Sequence, residues 1–253
     1  MSDQITQEIT PEKQEVIDGL LKDLPEQKEI VLEFPSHGKF YKPVDVSKPI
    51  TLRPLNFEDE KEIVARKDSD PVDLILSRCL NNMSAASLIS IDKAYVLVKL
   101  REISYGKIYD ALITCPSCGK KGEVEIDLTD LKVNYLPEDL EDPRKITLPT
   151  LGKEVEVRFP RSKDEKYLKT PELAATQIWR FVISIAGHTD RQIISEVLKK
   201  LPLVDVHYII NSINMNDYGV DPRFMYGCPE CRSENLMGVP LGSDFFSVSL
   251  PKS

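Results

Sequence analysis

Two copies of a Cys-Pro-x-Cys motif constrain this chain more than any other feature of its sequence. They are Cys115-Pro116-Ser117-Cys118, followed by Gly119, and Cys228-Pro229-Glu230-Cys231, followed by Arg232. In a zinc ribbon, two such turns each present two thiolates, and the four sulfurs surround the metal at about 2.3 Å. Proline stiffens the turn, and glycine after the second cysteine permits the conformation in which the chain leaves it. The pattern therefore predicts one structural Zn²⁺ with four ligands, Cys115, Cys118, Cys228 and Cys231.

The separation of the two motifs is unusual. Residues 119–227 lie between them, where a compact ribbon would have a short insert. Closing a loop of this length costs roughly 4–5 kcal/mol of chain entropy. Structural zinc contributes on the order of 10–16 kcal/mol in small peptides, so the metal can offset that cost. We expect a discontinuous ribbon that fastens the C-terminal end of the chain to its middle. Four cysteines leave no coordination position for water, so a catalytic zinc is not expected.

Three other interpretations of the cysteines remain open. They could be two thioredoxin-type redox motifs, although no helix start follows either pair. They could form disulfides, but the N-terminal MSDQITQEIT has neither the basic nor the apolar region of a signal peptide, and we expect a reducing cytoplasmic compartment. They could also belong to a ribbon in which strand packing has replaced the metal. The fifth cysteine, Cys79, lies on an apolar helical face and is expected to be a buried thiol.

Charge and motif content argue against several classes of function. The formal net charge is −8, whereas binding to nucleic-acid backbones or anionic membranes needs clustered Lys and Arg. The most apolar stretch, residues 178–187, is interrupted by Arg180 and is too short to cross a bilayer. The common phosphate-binding, dinucleotide-binding, zinc-protease and serine-hydrolase motifs are missing, and none of the three histidines has a partner motif. We predict no enzyme, and no nucleic acid, membrane or small-molecule substrate as partner.

The chain divides into an acidic extension, residues 1–28, and one domain, residues 29–253. Within the domain, strand patterns around the cysteine motifs place the ribbon at residues 107–130 and 222–247. A β/helical insert, residues 131–221, separates these two halves. In the extension, Leu20, Leu21 and Leu24 could line a short helix, although a mobile tail is the favoured alternative.

Apolar periodicity and capping signals predict the remaining elements. The predicted helices cover residues 57–67, 72–80, 91–105, 178–185 and 203–213, with another following a capping-box pattern at 189–192. The predicted strands cover residues 30–34, 46–52, 109–114, 124–128, 145–148, 155–159, 224–227 and 236–240. The acidic run 58–62 and the basic run 158–169 are interpreted as solvated faces. The predicted fold class is α+β, a mainly helical body with short β-hairpins and a discontinuous four-cysteine zinc ribbon.

Several blocks, in order along the chain, resemble the T4-type bacteriophage baseplate protein family, the hub and hub-assembly proteins of contractile tails. Residues 34–41 (FPSHGKFY) resemble its Pro-Ser-x-Gly-x-x-Tyr signature, with Phe34 where leucine is expected. The other blocks are residues 50–60, residues 73–81 (DLILSRCLN), the Tyr105-Gly106 helix end before the first cysteine motif, and the second cysteine motif leading into Asp244-Phe245-Phe246. The resemblance covers about residues 30–247.

This resemblance implies a non-enzymatic hub component or hub-assembly factor that contacts other phage baseplate or hub proteins. It would be located in the virion tail baseplate, in the host cytoplasm during assembly, or in both. Phe245 and Phe246 are candidate anchors for a partner, with packing against the ribbon as the alternative. Two other hypotheses are a zinc-ribbon adaptor associated with nucleic acid or the transcription machinery, and a metal-dependent enzyme.

Overall fold

The computed structural model describes residues 10–22, 28–65, 71–239, 241 and 243–246. The α-helices are α1 (Pro11–Leu21), α2 (Phe57–Ala65), α3 (Pro71–Cys79), α4 (Ser90–Tyr105), α5 (Pro171–Gln177), α6 (Arg191–Leu198) and α7 (Leu203–Ile213). Short 3-10 helices cover Ala85–Ser87, Leu128–Asp130, Ser162–Tyr167, Ile178–Phe181 and Ser243–Phe246.

The strands pair into several small antiparallel sheets. They are β1 (Ile30–Val31), β2 (Thr51–Leu52), β3 (Leu80–Asn81), β4 (Ile108–Thr114), β5 (Lys121–Asp127), β6 (Val133–Asn134), β7 (Arg144–Thr147), β8 (Glu154–Val157), β9 (Val182–Ile185), β10 (Gly219–Val220), β11 (Arg223–Gly227) and β12 (Glu234–Gly238). Two sheets have three strands, in the orders β1-β2-β3 and β7-β8-β9. The predicted α+β class is confirmed.

Helix α4 runs through the larger of two hydrophobic cores. Val96 and Leu100 are completely buried, and apolar side chains on other faces of the helix are buried as well. A helix that is apolar on most of its faces belongs inside a protein. The core around it gathers side chains from Leu32 to Phe246, and it includes Cys79, whose predicted burial is confirmed.

Asp92, near the start of α4, anchors the loop that carries the Pro-Ser-x-Gly-x-x-Tyr motif. Its buried carboxylate accepts hydrogen bonds from the Ser36 amide at 3.1 Å, from the Ser36 hydroxyl and from the Tyr41 hydroxyl at 2.6 Å. Tyr41 in turn accepts a hydrogen bond from the Ile89 amide at 3.0 Å. Burial raises the pKa of Asp92, and the Ser36 and Tyr41 hydrogen bonds oppose that shift. The motif residues are therefore joined to the central helix through one carboxylate.

The interpretation of the acidic run 58–62 as a solvated face is wrong at Asp59. Its carboxylate is buried, accepts hydrogen bonds from Arg53 at 2.7 and 2.9 Å, and accepts another from Arg78 at 2.6 Å. Asn56 caps the helix as predicted, because its side-chain oxygen accepts a hydrogen bond from the Asp59 amide at 3.0 Å. The helix was predicted to reach residue 67, and residues 66–67 lie outside the described part of the chain.

The smaller core lies within residues 146–213, inside the predicted insert. The sheet β7-β8-β9 packs there against α6 and α7, with Phe181 and Ile194 completely buried. The helix predicted at residues 178–185 is wrong: residues 178–181 form a 3-10 turn, and β9 follows. The next helix begins as expected near residue 190, but its cap is Asp190, whose carboxylate accepts from the amides of Gln192 at 2.8 Å and Ile193 at 3.0 Å.

Residues 158–165 join the two cores. Ser162 donates its amide proton to the Leu88 carbonyl at 2.7 Å, and Glu165 pairs with the buried Lys93 at 2.7 Å. Arg158 pairs with Asp164 at 2.6 Å and lies over the Phe181 ring. The basic run 158–169 is therefore solvated only in part.

Helix α1 precedes these cores and has no buried residue, with Leu20 and Leu21 exposed. Leu24 of the same predicted stripe lies outside the described residues. Among the residues that the structure describes, no helix is both long and apolar enough to cross a bilayer.

Candidate metal centre

Two β-hairpins place the cysteine motifs at their tips. In the first, β4 and β5 pair from Ile108↔Asp127 to Thr114↔Lys121, so residues 115–120 form the turn. In the second, β11 and β12 end at the pair Gly227↔Glu234, so residues 228–233 form the turn. Both hairpins form where strands were predicted around the cysteines, but Leu128 begins a 3-10 helix and Val239 lies beyond the end of β12. Pro240 of the predicted strand lies outside the described residues. Strand alternation buries Tyr109, Ala111 and Ile113 on one face of β4.

The two turns close in the same way. The amide of the first cysteine donates to the carbonyl five residues later, and the residue after the second cysteine donates back to the carbonyl of the first. The bonds are Cys115 to Lys120 at 2.8 Å, Gly119 to Cys115 at 2.8 Å, Cys228 to Ser233 at 3.0 Å and Arg232 to Cys228 at 2.9 Å. The two halves of the site therefore have the same backbone hydrogen-bond pattern although they come from distant parts of the chain.

The two turns differ at one position. The residue after the second cysteine has a left-handed backbone in both turns, with φ of +72° at Gly119 and +58° at Arg232. Glycine adopts this conformation without steric cost, whereas a side chain at such a position is disfavoured by roughly 1–2 kcal/mol. The second turn therefore holds a strained residue where the first does not.

The four cysteine sulfurs converge on one point. Cys115 and Cys231 have their Sγ atoms 3.8 Å apart, as have Cys118 and Cys228, and all four lie within 4.8 Å of one another. A tetrahedron with metal–sulfur bonds of about 2.3 Å has edges of about 3.8 Å, whereas a disulfide has sulfurs about 2.05 Å apart. All four cysteines are free thiols in this structure, so neither disulfide nor oxidised redox pairs describe it. The donor set fits a tetrahedral Zn²⁺, which prefers thiolate ligands.

Polar groups beside Cys115 and Cys231 favour the thiolate form of these two cysteines. The Ser233 hydroxyl lies 3.0 Å from Cys231 Sγ and 3.6 Å from Cys115 Sγ. Burial works to raise the pKa of Cys115, but hydrogen bonds from Ser233 and from the amides of Ser117 and Cys118 lower it overall. Ser233 also lowers the pKa of Cys231. Thiolates are the form that binds metal, so these neighbours prepare the site.

Contacts between the hairpins fix the two turns against each other. Asn235 accepts a hydrogen bond from the Ser117 hydroxyl at 3.0 Å, and Lys120 pairs with Glu230 at 2.5 Å. Behind the sulfurs, Tyr226 packs so close to Gly122 that a Cβ at residue 122 would overlap its hydroxyl. Sequence reasoning missed Ser233, Asn235 and Tyr226, because single polar residues beside a cysteine turn follow no spacing rule.

Phe245 and Phe246 lie in the core of this chain. Phe245 is fully buried, Phe246 nearly so, and Phe245 meets the Tyr109 ring edge-on at 5.0 Å. The buried guanidinium of Arg101 donates to the Phe245 carbonyl at 2.6 Å. The alternative of packing against the ribbon therefore describes both rings, and neither is exposed as an anchor for a partner in this structure.

The four cysteines are the only group of three or more His, Cys, Asp or Glu side chains placed to share a metal ion within the described ranges. The histidine of the signature loop, His37, stacks on Tyr135 and lies 3.0 Å from the Leu136 carbonyl, which is a structural role.

Comparison with known proteins places the chain in a family. No curated protein and no solved structure shows significant similarity to it. The family model described as T4 bacteriophage base plate protein matches residues 27–247, which is most of the chain and agrees with the span of the resemblance in its sequence blocks. This family points to a component of the phage baseplate, to a location in the virion tail and to a non-enzymatic role in association with other phage proteins. The chain therefore belongs to the T4 bacteriophage base plate protein family.

Proposed function

We propose that this protein is a non-enzymatic hub component or hub-assembly factor of the phage tail baseplate, which acts through protein contacts and is stabilised by a structural zinc ion. Family membership over residues 27–247 carries this proposal. We also propose that the chain consists of an acidic extension, residues 1–28, and one domain, residues 29–253. The domain would contain a ribbon, residues 107–130 and 222–247, interrupted by the insert 131–221. Before its incorporation into the virion, the protein would be present in the host cytoplasm.

The sulfur geometry supports the zinc part of the proposal. Four thiol sulfurs lie at the spacing of a tetrahedral metal site, and each cysteine turn has the hydrogen bonds of the other. The metal would bind Cys115, Cys118, Cys228 and Cys231. With no open coordination position, it would stabilise the fold and would not activate water.

A ligand substitution tests the shared zinc site. Purified wild-type protein is expected to contain about one zinc ion per chain, and Cys228→Ser should lose the metal together with thermal stability, because one ligand of four is removed. Cys79→Ala is the matched control: it removes a buried cysteine outside the site and should keep the metal. Unchanged zinc content and stability in Cys228→Ser would refute the shared site.

Affinity recovery from infected cells tests the baseplate part. The tagged protein is expected to recover baseplate hub proteins, identified by mass spectrometry. Recovery of nucleic acid or metabolic enzymes alone would contradict the proposal. A gel-shift assay addresses the adaptor hypothesis separately: with a net charge of −8, we expect no salt-dependent DNA binding.

A further inference from the structure

A small pocket with three basic side chains lies where the end of the signature loop meets residues 83–87 and 161–163. Its volume is about 210 Å³. Its charge comes from Lys42, Arg161 and Lys163, and its hydroxyl groups from Ser84 and Ser87. We call it the basic pocket. In a chain with a net charge of −8, three cations around one cavity are unusual.

Arg161, which lines the basic pocket, has an unsatisfied donor. Its Nη2 pairs with the carboxylate of Asp142, which is itself buried. Its Nη1 is also buried, and it has no hydrogen-bond partner among the residues that the structure describes. Buried donors are nearly always paired in folded proteins, and a charged donor without an acceptor is costly. A ligand oxygen that reaches this donor through a shift of the guanidinium would satisfy it.

Neighbouring acidic groups neutralise only Arg161 among the three cations of the basic pocket. Asp142 is occupied by Arg161 and by the Phe159 amide at 2.9 Å, and Asp164, next to Lys163, is occupied by Arg158. Asp92 lies behind the Tyr41 hydroxyl and is fully buried.

The two lysines of the basic pocket are exposed, and within the described part of the chain neither has an ion-pair partner. Some other exposed lysines are paired, such as Lys145 with Glu154 at 3.1 Å and Lys199 with Glu196 at 2.6 Å. The pocket therefore keeps a positive potential that favours an anion.

We propose that the basic pocket binds a carboxylate side chain of a partner protein. A guanidinium group flanked by ammonium and hydroxyl groups matches the acceptor geometry of a carboxylate. A nucleic-acid backbone would need a stripe of cations that follows successive phosphates, and one pocket of this size does not provide that. The choice of a protein as the source of the carboxylate rests on the proposed role in baseplate assembly.

A peptide titration tests the pocket in the purified full-length protein. We would add acetyl-Glu-Glu-Glu-amide to ¹⁵N-labelled protein at low ionic strength, with the corresponding glutamine peptide as control. Saturable shifts are expected at the amides of Lys42, Ser84, Ser87 and Lys163 with the glutamate peptide only. The variant Lys42→Ala/Lys163→Ala should weaken this binding about tenfold or more, because two of the three cations are removed. Lys153→Ala changes an exposed lysine outside the pocket and should have no effect.

Several results would overturn the proposal. These are shifts of equal size with the glutamine peptide, binding that the double variant leaves unchanged, and no saturable shift at these residues. Tighter binding of inorganic phosphate or of an oligothymidylate at the same amides would reassign the pocket to phosphate or to nucleic acid.

Affinity recovery from infected cells distinguishes the proposal for the basic pocket from the proposed role in the baseplate. Reduced recovery of baseplate proteins by Lys42→Ala/Lys163→Ala, compared with Lys153→Ala, supports the partner assignment. Equal recovery by the two variants overturns that assignment and leaves the baseplate role intact. Failure of the wild type to recover any baseplate protein would count against the proposed function, while the peptide titration would still decide whether the pocket binds carboxylates.

Discussion

The two hydrophobic cores of this protein are closed by contacts of different range. The larger core brings together Leu32 and Phe246 and depends on pairs such as Cys115 with Cys231 and Arg101 with Phe245. The smaller core draws all its buried side chains from residues 146–213. Closing a longer loop costs more chain entropy, so long-range contacts need stronger local support. The cysteine site lies where the larger core needs that support, and the smaller core has no such group among its buried residues.

Removal of the proposed zinc ion should have the largest effect on the difference between the two cores. A tight chelator is expected to lower the free energy of opening of the hairpins β4–β5 and β11–β12 by about 4–5 kcal/mol, the loop-closure cost that the metal offsets. Strands β7 and β8 of the smaller core should keep their protection. Hydrogen exchange with mass spectrometry measures both regions in one experiment. Equal loss in both cores would show that they are not independent.

Two substitutions that each create a cavity in one core test whether the cores are independent. Phe181→Ala in the smaller core and Phe245→Ala in the larger core each remove a fully buried ring, and each should cost about 3–5 kcal/mol of unfolding free energy. The difference should appear in the location of the damage. Phe181→Ala should leave zinc content unchanged and loosen β8 and β9, whereas Phe245→Ala should loosen β4. Urea unfolding measures the loss of unfolding free energy, and hydrogen exchange shows which strands lose protection. The same exchange pattern in both variants would contradict the independence of the two cores.

Acid should destabilise the larger core because it protonates Asp59. Hydrogen bonds from Arg53, and then from Arg78, hold the pKa of this carboxyl well below its usual value. Its folded pKa is depressed, so its stabilisation is present above the unfolded pKa of about 4 and is lost as the pH falls toward the folded pKa. Asp59→Asn should cost about 1.5–3 kcal/mol at pH 7, as expected for lost charged hydrogen bonds, and should flatten the decrease in stability below pH 4. Parallel pH profiles for wild type and variant would refute this role.

Substitution of the residue that follows the second cysteine in each turn should have the smallest effect on stability. Arg232→Gly relieves a left-handed arginine and should stabilise the protein by up to about 1 kcal/mol, since relief of the strain exceeds the added entropy of the unfolded chain. Gly119→Ala introduces the same strain into the other turn and should destabilise by about 1 kcal/mol. Thermal unfolding of the zinc-loaded proteins measures both. If Arg232→Gly is destabilised, the contacts of the arginine side chain stabilise the protein by more than its left-handed backbone costs.

Patterns local in sequence predicted most of the fold. Residues 203–213 were predicted as a helix with the bounds of α7, and the hairpins around the cysteines were predicted within a few residues. The convergence of four cysteines could be predicted because the ligand requirements of zinc select residue type and spacing. The remaining features depend on partners distant in sequence. Asp92 looks like an ordinary polar residue near a helix start until Ser36 and Tyr41 are placed against it.

The wrong helix at residues 178–185 has a physical cause. Ile178, Phe181, Val182 and Ile185 have helical spacing, and all four are buried, but they face the core from a 3-10 turn followed by a strand. A register shift between Glu156 and Val157 disrupts the alternation expected of β9, so its inner residues come three apart instead of two. The β-branched side chains in this stretch favoured a strand, and periodicity alone did not separate the two possibilities.

The long separation of the two cysteine turns in the sequence bears on synthesis by the ribosome. The buried face of β4 is covered partly by Tyr226 and Phe245, which are translated long after Tyr109 and Ala111. Domains and local units fold as they emerge, so the insert can form its own core while the first hairpin still exposes an uncovered apolar face. A ribosome that stops before residue 228 would release a chain with only two of the four clustered cysteines and an unprotected strand, which is a substrate for aggregation or proteolysis. Completion of the cysteine cluster therefore waits for the synthesis of Cys228 and Cys231, and only a product that also includes Phe245 and Phe246 can close the larger core.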